Sequence, residues 1–362
     1  MEPFFQVKLG KIKECYDLWR EELPQVEVFY AVKCNPHKTI LSYMNTLGIK
    51  FDCASKQEIA DVLEIQKQNP ETNSLSNQNS KSNSDNIIYA NACKFIDHIQ
   101  YAREVGVPIL VFDSECELYK IKDHYPEAKL LLRIVVEDAT SQCSFSKKFG
   151  CELNEVENLL KLSLELGLQV VGFSFHVGSG CNKPSLYYDA LSDCKTATIM
   201  AITLGIEIEI IDIGGGFKYS NFKECAHEVR RGLALFHKKY RFISEVGRYL
   251  VETSHTLYMH VMCKKIKSNT RIYYLDDGLY GSIGCKIFDH AKPIIMTNKT
   301  GPLFESILFG PTCDSFDLID TILLPELMMG DILYIENFGA YTTASASDFN
   351  GYKIKKFIFV GV

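Results

Sequence analysis

The sequence predicts an α/β chain: a closed (β/α)8, TIM-like barrel followed by a C-terminal antiparallel β-domain of sandwich or barrel-like form. Three observations carry this. Eight short apolar runs recur up to Arg248, amphipathic stretches lie between most of them, and after Arg248 the rhythm changes to shorter alternating segments. Near-continuous apolar strands alternating with helices imply a parallel sheet covered by helices. Eight repeats suggest closure rather than an open sheet.

The runs are "VEVFYAVK", "IKFDCAS", "NIIYANACK", "PILVFDS", "KLLLRIV", "VVGFSFHVGSG", "IEIIDIGGG" and "RFISEVGR". Between them, "SKQEIADVLEIQKQ", "ELNEVENLLKLSLELG" and "FKECAHEVRRGLALFHKKY" have helical spacing. The first run ends at Lys33, whose ammonium is costly to desolvate unless it is neutralised or used. The others end at Asp52, Asn91, Asp113, Arg133, His176, Asp212 with its glycines, and Glu245 with Arg248. In such barrels the C-terminal ends of the strands form the active-site face. Packing alone does not explain a polar residue at almost every one of those ends.

Residues 69–86 break the rhythm. They are dominated by Asn and Ser, cannot bury enough surface to offset their ordering entropy, and are expected to form a disordered surface insertion. Beyond Arg248, "TLYMHVMCKKI", "TRIYYLDDG", "ESILFGPTCD", "GDILYIENFGAYT" and "KIKKFIFVGV" read as strands, and "PFFQV" as one more. The expected domains are a barrel over 9–248 and a β-domain formed by 1–8 with 249–362.

A length of 362 residues accommodates two domains. The net charge of −6 argues against nucleic acid or an anionic membrane as the main partner. No apolar run is long enough to cross a bilayer, and "MEPFFQVKLGKIKE" lacks the features of a signal peptide. The 13 cysteines show no metal-ligand spacing, so the expectation is a cytoplasmic protein with free thiols and no metal.

The chemistry concentrates at the strand ends. Gly214, Gly215 and Gly216 follow a buried strand, an arrangement that suits either phosphate binding by backbone N–H groups or a tight turn. Arg248 offers a charged second phosphate contact after the next strand, and such barrels often bind phosphate after strands seven and eight. His176 is either a satisfied core residue or, with the Gly-Ser-Gly turn after it, an imidazole facing a planar ligand. Ser179 could give a hydroxyl to the phosphate. Glu245, an acid at a barrel mouth, needs a cationic or protonated partner. A lysine amine, a phosphate cradle, a planar-ring neighbour and a carboxylate for a ring nitrogen describe pyridoxal 5'-phosphate, with Lys33 as its Schiff-base partner.

The motifs "FYAVKCN", "FDCAS", "FHVGSGC", "DIGGGF", "GPTCD", "ENFGAYT" and "FNG" run nearly the whole length. On them the chain resembles the eukaryotic ornithine decarboxylases, within the alanine-racemase-like, fold type III pyridoxal phosphate enzymes. The resemblance implies decarboxylation of L-ornithine to putrescine and CO2, the first step of polyamine biosynthesis. It makes Lys33 the Schiff-base lysine and Glu245 the partner of the pyridine nitrogen. It stacks His176 on the ring, and it gives the phosphate to Ser179, Gly214–Gly216, Arg248 and Tyr341. Asp52 and Arg133 would surround the lysine and cofactor. Asp289 and Asp314 would hold the distal amine of the substrate, with Phe288 and Phe349 beside it, and Cys313 would return the proton to Cα. The resemblance further implies a homodimer with shared active sites, paired through Lys148 and Asp317; it makes an antizyme-like regulator a candidate partner, whose existence the sequence does not decide.

There are departures from the family pattern. Val246 stands where the family usually has proline, Phe288 replaces a usual tyrosine, the chain begins later, and it lacks the C-terminal tail, implying no tail-driven degradation. Two other readings stay open: a decarboxylase of lysine or arginine, and a non-catalytic binder resembling the antizyme inhibitors. Retention of Lys33, Asp52, Arg133, Arg248, Asp314 and Tyr341 speaks against the second.

Overall fold

A computed structural model of the chain describes residues 2–68, 83–237, 239–352 and 356–361. The chain forms two compact units, Cys15–Tyr249 and Met1–Glu14 with Leu250–Val362.

In the first unit eight parallel strands close into a barrel: β2 (Val26–Ala31), β3 (Lys50–Cys53), β4 (Ile87–Tyr89), β5 (Ile109–Phe112), β6 (Lys129–Arg133), β7 (Gln169–Ser174), β8 (Ile210–Asp212) and β9 (Arg241–Val246). Each neighbour pairs in sequence order, and β9 returns to β2 with Phe29 opposite Glu245. The strands are rich in Val, Ile, Leu and Phe because both faces are covered. Phe29, Ile88, Val111, Leu131, Val171 and Ile243 belong to one buried cluster that packs the interior. Gly172 is required in β7, since a Cβ there would lie 2.1 Å from the Ile210 carbonyl oxygen. At the strand starts, Glu27 accepts from Lys50 (2.6 Å) and from Arg241 Nε and Nη2 (2.6 and 2.9 Å). Burial raises the Glu27 pKa, but these two cations prevail and lower it to about 2.

Two expectations need correction. Lys33 does not end β2; the strand stops at Ala31, and Val32–Cys34 is a single 3-10 turn. The insertion expected over 69–86 is not disordered to its end. Asn83–Asn86 forms a 3-10 turn with Ser84 and Asn86 buried ahead of β4, while 69–82 lie outside the described residues.

The second unit is a seven-stranded sheet of β1 (Phe4–Lys8), β10 (His255–Lys267), β11 (Thr270–Leu275), β12 (Leu303–Phe309), β13 (Leu318–Pro325), β14 (Ile332–Ile335) and β15 (Lys356–Val360). Most pairings are antiparallel, but β1–β15 and β11–β12 run parallel. "PFFQV" does supply a strand, and a central one: β1 lies between β10 and β15. Sequence reading missed β13. Its "LIDTILLP" breaks the alternation and ends in proline, features that an edge strand tolerates.

Candidate active site

The barrel rim gathers Lys33, Asp52, Arg133, His176, Ser179, the triple-glycine loop, Glu245 and Arg248. Lys33 Nζ donates to Asp52 Oδ2 at 3.1 Å, with the carboxylate fully enclosed and the lysine partly open to solvent. Asp52 Oδ1 is buried with no hydrogen-bond partner among the described residues. The extended strand β3 carries that acid inward beneath the amine.

Asp212, at the end of β8, and Glu245, on β9, are both buried acids. Burial first, then the charges of Asp212 and Asp52, hold the Glu245 carboxyl well above the usual carboxylate range, against the pull of Lys33. Burial likewise raises Asp212 to about 7, although the Glu245 acid and the Gly214 N–H draw it down. Two adjacent buried carboxyls cannot both ionise cheaply, so the pair retains a proton. Arg133, at the end of β6, is half-buried. Desolvation lowers its pKa, while Glu245, Asp113, Asp212 and Asp52 support its charge. Its guanidinium lies over the Phe149 ring at 4.9 Å.

His176 follows β7. Burial, then Arg133 and Lys33, push its pKa well below the ordinary value, so the ring is neutral. Nδ1 accepts from the Gly178 N–H at 3.0 Å, which leaves the proton on Nε2. The Phe145 ring meets it edge-on, with centroids 5.0 Å apart. A neutral, oriented imidazole is suited to lie against a flat ring.

The triple glycine serves both packing and binding. A Cβ on Gly214, Gly215 or Gly216 would lie 2.0, 2.5 or 2.5 Å from a backbone oxygen of Phe175, Glu245 or Gly178. Gly214 N–H is engaged by Asp212 Oδ1 at 2.9 Å. The carbonyls of Gly215 and Gly216 are tied to Tyr187 Oη (3.0 Å) and Cys181 N (2.9 Å). Among the described residues, no protein acceptor engages the Gly215 or Gly216 N–H. Arg248 Nη2 donates to Ser179 Oγ at 3.0 Å. Two N–H groups, a hydroxyl and a guanidinium make an anion cradle. With the paired amine and the protonated acid pair, this donor set fits pyridoxal phosphate.

In the β-domain, Asp314 accepts a short hydrogen bond from Tyr280 Oη and one from Phe316 N at 3.0 Å, and the tyrosine bond leads in lowering its pKa. Phe349 stacks on Tyr280 at 4.5 Å. Cys313 is exposed, its N–H held by Asn350 Oδ1 at 2.9 Å. Asp289 is buried, whereas the adjacent Phe288 is exposed. Tyr341 takes φ +57°, the left-handed region that bulky residues avoid and that concentrates at functional loops. Lys148 is exposed beside Phe149. Asp317 is enclosed and accepts from Leu279 N, Thr312 N and Thr312 Oγ1, so any pairing with Lys148 of a second subunit adds to a folding role inside the domain.

Sequence reasoning missed Tyr280, for which it had no signal, and the role of Asp212, visible only as a strand-end acid. In the segment 138–149, of which it named only Lys148, it also missed Asp138, Phe145 and Phe149.

The model of the pyridoxal-dependent decarboxylase pyridoxal-binding domain matches residues 9–252. An ornithine decarboxylase of Schizosaccharomyces pombe is 38% identical, covering 99% of this chain and 83% of that protein. Antizyme inhibitor 2 of Xenopus laevis is also 38% identical, covering 97% and 79%. The solved arginine decarboxylase of Paramecium bursaria Chlorella virus, bound to agmatine, superposes with a TM-score of 0.92 at 30% identity, covering 99% and 96%. With the cradle and the paired lysine in place, these likenesses assign the chain to the pyridoxal-dependent decarboxylases of fold type III.

Proposed function

We propose that the protein is an ornithine decarboxylase, converting L-ornithine to putrescine and CO2 with pyridoxal phosphate. The observation that carries this is the Lys33–Asp52 pair beside two buried acids, Asp212 and Glu245, and an anion cradle. When bound, pyridoxal phosphate supplies the electron sink for the carbanion left by CO2. Lys33 holds the cofactor's aldehyde end, and Asp52 keeps the amine oriented. Ser179, Arg248 and the Gly215 and Gly216 N–H groups hold its phosphate. Glu245 holds a proton at the ring nitrogen, and the neutral His176 presents its face. Arg133 balances the charge of the acids from the barrel rim.

For the substrate, Asp289 and Asp314 are the acids proposed to bind the distal ammonium, and Cys313 the donor that returns a proton to Cα. Lysine or arginine is the second reading, favoured by the exposed Phe288 in place of tyrosine and by the arginine decarboxylase likeness. A competition assay with the three amino acids decides: ornithine is expected to give the highest kcat/KM. A higher value for either rival overturns the substrate assignment, and absence of CO2 release from all three supports an antizyme-inhibitor-like binder.

The proposal includes a homodimer in which Cys313 and Asp314 act on substrate held by the partner subunit. Mixing Lys33→Ala with Cys313→Ala is then expected to restore at most about a quarter of wild-type activity, because about half the dimers in a random mixture carry one intact site of two. No recovery contradicts sharing. An antizyme-like regulator is a further proposed partner, supported by the Xenopus likeness. A cytoplasmic location is supported by the 13 free cysteines, which suit a reducing compartment.

A further inference from the structure

The segment following β6 is not an incidental loop. Asp138, fully buried, accepts from Ser144 Oγ and Phe145 N (each 2.5 Å), Ser146 N (3.1 Å) and Ser146 Oγ (2.7 Å). Burial would raise its pKa, yet these donors outweigh that and keep it ionised. The turn so closed contacts the "HVGSG" segment through four residues, two of them meeting the cofactor-binding His176 and Ser179. Phe145 stands edge-on to His176 at 5.0 Å. Cys143 exchanges both backbone hydrogen bonds with Ser179, at 3.0 and 2.9 Å, and Gln142 N donates to Gly180 O at 3.2 Å. Ser141 Oγ donates to Val177 O at 2.6 Å. The glycines of "HVGSG" leave room for it: a Cβ on Gly178 would lie 2.7 Å from Cys143 O, and one on Gly180 2.9 Å from Gln142 Cβ.

We propose that Asp138 is a positioning residue for the cofactor, cinching residues 139–146 into the brace that fixes the His176 ring and the backbone of Ser179. It touches neither cofactor nor substrate and acts through Phe145 and Cys143. The inference rests on the pyridoxal phosphate reading of the site.

In Asp138→Asn the charge and one acceptor oxygen are lost, so four charge-assisted bonds give way to weaker neutral ones and the turn loosens while volume is kept. The test is pyridoxal phosphate binding to apoprotein, read by fluorescence of the single tryptophan, Trp19, whose ring meets Phe217 just beyond Gly216 at 5.0 Å. The cofactor Kd is expected to rise about tenfold. The apoprotein melting temperature should stay within a few degrees, and kcat should recover at saturating cofactor with KM for ornithine unchanged. Ser144→Ala/Ser146→Ala, which removes only the two hydroxyl donors, is expected to raise Kd several-fold. Kd within twofold of wild type in both variants overturns the inference, as does a loss of affinity that only tracks lost folding. Failure of wild-type apoprotein to bind the cofactor overturns instead the reading on which it rests.

Discussion

Lys33→Ala is expected to lower ornithine decarboxylation about 10²–10⁴-fold, the span for removing a positioned nucleophile or proton-transfer group. The loss should be in kcat rather than in KM. The geometry adds a consequence for stability. Asp52 is fully enclosed, and Lys33 Nζ at 3.1 Å is the cation within its bonding distance. Removing that cation leaves a buried carboxylate costing about 1–3 kcal/mol at neutral pH, moderated because Lys33 itself reaches solvent. Lys33→Ala/Asp52→Asn should therefore regain melting temperature without regaining activity. Equal stability of the single and double variants in urea unfolding would contradict the assigned pairing.

Glu245→Gln is expected to lower kcat about 10²–10³-fold, as for loss of one preorganised electrostatic partner, because an amide cannot hold a ring nitrogen in its protonated form. It should also flatten the pH dependence of apoprotein stability. Asp212 is raised from 3.8 to about 7, Glu58 from 4.5 to about 7, and Glu245 well above its ordinary range. Raised carboxyls bind more protons folded than unfolded between the two pKa values. Stability is then fully present below about pH 4 as far as these groups contribute, and is lost as pH rises toward 7 and beyond. The loss is on the order of a few kcal/mol for the buried pair. Thermal melts of apoprotein from pH 5 to 8 should show a falling melting temperature in wild type and a shallower fall in Glu245→Gln. Pyridoxal phosphate should shrink the wild-type slope, since a protonated ring nitrogen favours the ionised acid. A slope identical in both proteins, with and without cofactor, would refute the shared-proton description.

The barrel was legible because its strands are built around short apolar runs, and because parallel strands buried on both faces leave few other patterns. Lys33, His176, Glu245 and Arg248 were legible for the complementary reason: polar groups at the ends of such runs have no packing explanation. The β-domain was less so. β13 is an edge strand whose Asp320 and Thr321 interrupt the period, and Tyr280 depends on a turn that brings it to Asp314 from 34 positions away. The 3-10 turn at Lys33 was invisible because a strand end and a turn of three residues have the same composition. Asp138 and Phe145 lay in a polar stretch that reads as an ordinary loop. Their importance comes from contacts with "HVGSG", which only the folded barrel creates.

Borohydride reduction of the holoprotein followed by peptide mass mapping tests directly whether Lys33 carries the cofactor. One reduced pyridoxal phosphate group per chain is expected, on the peptide containing Lys33, and none in Lys33→Ala. A stable adduct on a different lysine, or an unmodified Lys33 in catalytically active protein, would contradict that assignment.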